Sequence, residues 1–106
     1  MPKYLIKASY TAEGVKGVMK DGGTKRRQAA EAAIKSTGGT LEGFYFAFGD
    51  ADALVIVDAP DNTSVAAASM AIGASGLVSV KTVVLLTPEE IDQAVKKGAT
   101  YTPPGR

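Results

Sequence analysis

Neither cysteine nor histidine occurs anywhere in the chain. Without cysteine there can be no disulfide and no thiolate metal site, and a reducing cytoplasm is the compartment such a chain suits. Without histidine the commonest general base and the usual neutral-pH switch are missing, so any chemistry would rest on carboxylates, Lys, Tyr, Ser or a borrowed cofactor. No metal or cofactor is expected. Charge of one sign is scarce too. Twelve Lys and Arg against 11 Asp and Glu leave a net charge of +1, far from the basic field that general nucleic-acid binding requires. No apolar run approaches the roughly 18 residues of a membrane span. The opening "MPKYLIKASY" reads as a first strand, with no small-residue cleavage site of a signal peptide. The expectation is a cytoplasmic protein with neither nucleic acid nor membrane as a partner.

What is present suits one domain. A chain of 106 residues, 45% of them hydrophobic, can build a single core. The expected division is a domain over residues 1–98 and a tail over residues 99–106. Tyr4 to Tyr10 alternates apolar residues with Lys7 and Ser9 as a half-buried strand does, and Thr11 can cap a following helix. "DGG", Asp21 to Gly23, breaks the helical stretch in two, with Thr24 as the expected cap of the second piece. "TLEGFYFAFG" and "DALVIVDAP" read as a hairpin of two strands. Asp61 or Asn62 can cap an Ala-rich helix, "LVSVKTVVLL" is a fourth strand, and Thr87-Pro88-Glu89-Glu90 starts a last helix. The order βαββαβ plus a C-terminal helix is the α+β, ferredoxin-like arrangement, an antiparallel sheet with helices on one face.

Simple alternation assigns Tyr4, Ile6, Ala8, Leu41, Gly43, Tyr45, Ala47, Val55, Val57, Val80 and Val84 to the helix-covered face. The opposite face receives Leu5, Phe44, Phe46, Phe48, Leu54, Ile56, Val83 and Leu85, interleaved with Lys7, Ser9, Glu42, Asp58 and Lys81. So apolar a face calls for a cover, and a second copy of the chain is the most economical one; the terminal helix is the other candidate.

The stretches "KYLIKASYTAEGVKGVMKDGGTKRR", "GGTLEGFYFAFGDAD" and "VVLLTPEEID" together resemble the GYD-domain family of small bacterial and archaeal proteins. Its signature is a Gly, Tyr, Asp set at the start of the third strand. Gly49 and Asp52 match it, and Ala51 stands where the pattern carries tyrosine. The resemblance implies a ferredoxin-like fold of the dimeric α/β-barrel type, and it implies no reaction.

Three constellations carry possible chemistry. In "FGDAD", Asp50 and Asp52 share a spacing that would put two carboxylates on one strand face, but Gly49-Asp50 is also ordinary turn chemistry, which leaves Asp52 as an anchor for a neighbouring loop. In "KDGGTKRR", Gly22, Gly23 and Thr24 before Lys25, Arg26 and Arg27 resemble an anion cradle at a helix start; the bland reading is a solvated basic turn. Lys7, Tyr10, Asp58 and Lys81 form the third set, a candidate small-molecule pocket or an intersubunit salt bridge. The expected function is a homo-oligomeric module, a dimer or larger, holding a small ligand in a barrel cavity. The alternatives are a cofactor-independent enzyme of oxygenase or isomerase type and an anion- or effector-binding regulator.

Overall fold

The computed structural model describes residues 1–106. Eight elements follow one another: β1 (Lys3–Tyr10), α1 (Ala12–Asp21), α2 (Gly23–Ser36), β2 (Thr40–Phe46), β3 (Ala53–Asp58), α3 (Asn62–Gly73), β4 (Val78–Leu85) and α4 (Pro88–Lys97). The strands form one sheet in the order β2-β3-β1-β4, with every neighbouring pair antiparallel. This α+β arrangement is compatible with a ferredoxin-like fold.

Local chemistry sets most of the boundaries. Thr11 accepts a hydrogen bond from the Gly14 amide at 3.2 Å and starts α1. Asp61 accepts from both the amide and the hydroxyl of Ser64, each at 2.8 Å, and starts α3. Thr87 and Glu90 form a reciprocal capping box, with Pro88 in the first turn of α4. The expected cap at Thr24 is displaced. Gly22, at φ +82°, ends α1 by donating its amide to Val18 at 2.7 Å and is also the residue from which α2 begins. A positive φ there lets one residue close one helix and open the next, so Thr24 lies inside α2.

The core occupies one face of the sheet. Tyr4, Ile6, Val55 and Val57 pack there beneath Ile34 of α2 and Val65 and Ala68 of α3. Each of the buried isoleucine and valine side chains contributes about 1.5–3 kcal/mol by leaving water. The polar tip of Tyr4 is satisfied inside this layer, its hydroxyl donating to Asn62 Oδ1 at 2.6 Å.

The alternation breaks at a β-bulge between Leu41 and Gly43. Leu41 stands opposite Val57 and Phe44 opposite Val55, so both point to the helix side. Glu42 and Gly43 share the outward position between them. Every later residue of β2 is therefore turned over. Phe44 and Phe46 lie on the helix side, edge to face with centroids 5.2 Å apart, and Tyr45 faces outward. The expected outward stripe of phenylalanines is corrected accordingly, and Phe48 sits fully exposed in the hairpin connection. The outward face keeps Leu5, Leu54, Ile56, Val83, Leu85 and now Tyr45.

The terminal helix does not cover that face. No residue of α4 is buried, and Ile91 and Val95 are 46% and 76% exposed. The radius of gyration is 16.8 Å and the longest extent 56 Å, against a radius of about 13 Å for a compact chain of this length. No helix is long and apolar enough to cross a membrane.

Candidate functional site

Between α2 and the sheet lies a cavity of about 90 Å³ whose wall is apolar except at one residue. The helix contributes Ala29, Ala30 and Ala33, whose short side chains leave room above the larger groups of the sheet. Ile6, Ala8, Val55 and Val80 form the floor, and Phe44 closes one side. Arg26 is the exception, one turn before the alanines on the same helical stripe.

The guanidinium Nε of Arg26 is buried and has no hydrogen-bond partner. Arg26 also lines an adjoining cleft of about 260 Å³ with Gly14, Gly17, Asp21, Ser75, Leu77 and Val78. Tyr10 lines both spaces. The two residues that sequence placed in different constellations thus meet at one entrance. A permanent cation beside an apolar cavity is costly unless an anion or acceptor meets it, and a guanidinium matches a carboxylate in a bidentate fork.

The rest of the basic segment does not converge on a single anion. Lys25 reaches back to Asp21 at 3.9 Å, Arg27 is exposed, and Arg26 alone turns inward. The first turn of α2 has neither a side-chain cap nor an acidic residue. Gly22 and Gly23 serve the helix junction, and Thr24 is exposed.

Asp52 holds the end of β1. Its Oδ2 accepts the amide of Tyr10 at 2.8 Å, its own amide donates to the Ala8 carbonyl at 2.8 Å, and its carbonyl accepts from Ala47 at 2.9 Å. It therefore links β1 to the connection after β2. Asp50, Ala51 and Gly49 complete the turn; Ala51 is buried and Asp50 exposed. The two carboxylates do not act as a pair, because one is engaged with backbone and the other faces the solvent side of the sheet.

The remaining set divides among three places. Lys7 and Lys81 are register partners on the outward face, and with Ser9, Ser79, Asp50 and Ala51 they line a polar cavity of about 250 Å³. Tyr10 is on the opposite face. Asp58 lies at the far end of the ladder, across from Lys3, and forms an ion pair with it at 2.9 Å. Lys3 also bonds Glu42. These bonds raise the Lys3 ammonium above its ordinary pKa, first through Glu42 and then through Asp58, and hold Asp58 below the usual carboxylate value, chiefly through Lys3. The set of Lys7, Tyr10, Asp58 and Lys81 is therefore not one pocket. A four-residue offset along β1 separates Lys7 from the strand position facing Asp58, and alternation turns Tyr10 away.

Sequence reading missed the inward turn of Arg26 and the cavity beside it. The signal was present as the spacing of Arg26, Ala30 and Ala33, which places one long cation and small residues on a single helical stripe.

Comparison with known proteins adds kinship alone. The family model described as GYD domain matches residues 4–95. No curated protein and no solved structure matches the chain.

Proposed function

Since this chain belongs to the GYD-domain family, a kinship that names no reaction, we propose its function from the geometry of its own cavity: it is a self-associating module that binds a small apolar acid. The observation that carries this reading is the buried, unpartnered Nε of Arg26 at the wall of an otherwise apolar space. A ligand with a carboxylate and a compact hydrocarbon body meets both needs. Its carboxylate offers Arg26 the missing acceptor, and its body takes the place beside Ala29, Ala30 and Ala33. Tyr10, at the same entrance, adds a hydroxyl.

The apolar outward face supports pairing with a second copy. Leu5, Leu54, Ile56, Val83 and Leu85 lie on it, and no helix of the chain covers them. A two-fold operation buries the same surface twice. In this reading the module is a homodimer of barrel type. A chain without cysteine suits the reducing cytoplasm, where the reading places it.

Thermal-shift titration with short aliphatic and aromatic carboxylates tests the ligand, since a molecule that binds only the folded state raises the melting temperature. Acids are expected to raise it in the native chain and not in Arg26→Met, and the matching primary amides are expected to leave it unmoved. An equal shift in Arg26→Met, or none with any acid, overturns the reading. Sedimentation equilibrium tests the pairing: a dimer for the native chain and a monomer for Ile56→Lys are expected, and a native monomer refutes it.

A further inference from the structure

The outward face carries a second feature that neither the apolar acid nor simple pairing uses. Lys7 and Lys81 are directly opposite on the antiparallel ladder of β1 and β4, and Ser9 and Ser79 are opposite at the next position on the same face. Cross-strand partners hold their Cβ atoms about 4.5–5.5 Å apart, where like charges repel. Three lysines have a carboxylate within 4.0 Å, Lys3 with Glu42 and Asp58, Lys16 with Glu13 and Lys25 with Asp21, while Lys20, Lys35, Lys96 and Lys97 stand without one. What distinguishes Lys7 and Lys81 is that they face each other across the ladder. Neither Lys7 nor Lys81 has one within 4.0 Å, although Asp50 stands on the rim of the same cavity.

We infer that this juxtaposition is a site for a small, multiply charged oxyanion, a free phosphate or the phosphoryl group of a phosphomonoester. The chemistry follows from the lining. Of the six residues around the cavity of about 250 Å³, Ala51 alone is apolar. Two ammonium groups supply charge and up to three donors each, and two hydroxyls can each donate or accept. A phosphate carries about −1.5 to −2 charges near neutrality, which answers two cations better than a monocarboxylate does. The hydroxyl of Ser79 is only loosely engaged, donating to the Ser9 carbonyl at 3.5 Å, so turning toward a ligand costs it little. Asp50 works against the anion, and its place on the connection after β2 makes it the residue that tunes affinity.

The site is separate from the cavity beside Arg26. Alternation along β1 sends Ile6, Ala8 and Tyr10 toward the helices and Lys7 and Ser9 outward, so one strand feeds two sites on opposite faces. The inference does not depend on the acid-binding reading. Where the face is covered by a second copy, the anion lies in the interface.

Two-dimensional NMR with inorganic phosphate, against sodium chloride at matched ionic strength, is the test, with glycerol 3-phosphate as the ester probe. Phosphate is expected to shift the amides around residues 7, 9, 79 and 81 and to leave those of residues 29–33 in place. Lys81→Met, an exposed position with an uncharged side chain of similar length, is expected to weaken binding about tenfold or more, and Asp50→Asn to strengthen it several-fold. A further readout concerns the empty protein: relief of repulsion is expected to raise the melting temperature of Lys81→Met in chloride. A tighter ester than free phosphate assigns the site to phosphomonoesters, and the reverse assigns it to the free ion. Shifts reproduced by chloride, or phosphate affinity unchanged in Lys81→Met, overturn the inference.

Discussion

The amide of Tyr10 donates to Oδ2 of Asp52 across 2.8 Å and 42 residues of sequence. One carboxylate thereby fixes the end of the strand that supplies side chains to both candidate sites. Asp52 spends its side chain and its main chain on β1 and the connection after β2 together, a structural role that touches neither cavity.

Removing that carboxylate leaves a strand amide without its acceptor. Asp52→Ala is expected to lower unfolding stability by about 1–3 kcal/mol, with a smaller loss for Asp52→Asn, which keeps an accepting oxygen. Urea denaturation of the three proteins measures it, and an alanine variant as stable as the native chain contradicts the role.

Arg26 predicts the opposite sign. A buried donor without a partner costs about 1–3 kcal/mol, so Arg26→Met, which keeps much of the side-chain volume and discards the guanidinium, is expected to match or exceed native stability in the absence of ligand. A stabilised variant that no longer responds to acids is the mark of a residue kept for binding. A variant that unfolds more easily shows that the guanidinium supports the fold.

Three groups contribute to the pH dependence of stability at its acid and alkaline ends. Asp58 is held below its ordinary value of 3.8 chiefly by the hydrogen bond from Lys3, and Asp61 by its bonds from Ser64, backbone first. A carboxylate held low favours the fold above about pH 3.8, and that contribution is lost as pH falls through its folded value. Lys3 is raised above 10.5 by Glu42 first and Asp58 second. Its contribution is complete below about pH 10.5 and is lost as pH climbs through the folded value. Urea midpoints across this range are expected to fall at both ends. Asp61→Ser, which caps a helix without titrating there, is expected to flatten the acid limb.

Gly14 brings α1 close to the backbone just before β4. A methyl group at its Cβ position would stand 2.2 Å from the carbonyl oxygen of Leu77, the oxygen that accepts from the Thr11 amide at 2.9 Å. Gly14→Ala is expected to cost about 1–3 kcal/mol through displaced backbone, with the loss read from thermal unfolding. Gly17, with nothing within 4 Å of that position, is the control and should tolerate alanine.

Order and capping were legible in the sequence because they are local: Thr11, Asp61 and Thr87 each sit immediately before the helix they start. What failed was what one residue can shift. A bulge at Glu42 and Gly43 reverses every later side chain of β2, so period-two counting put Phe44 and Phe46 on the wrong face; glycine inside an aromatic strand was the one warning. Strand order alone sets Asp58 near Lys7, whereas the register of the ladder places it opposite Lys3. The pairing of Lys7 with Lys81 was readable, since the first and last strands of this topology are neighbours. The inward turn of Arg26 was hidden by Lys25 and Arg27, which made three cations look like one group.

The capping box of α4 has a consequence for how assembly could be followed. A helix of ten residues with no buried side chain is held by its first turn and little else, since isolated helices this short are marginal in water. Its two large apolar residues, Ile91 and Val95, are exposed and lie one turn apart on the same side. Amide exchange in residues 88–97 should therefore be fast whenever that side is bare and slow whenever something rests on it. The segment acts as a gauge of occupancy carried within the chain, readable without any label.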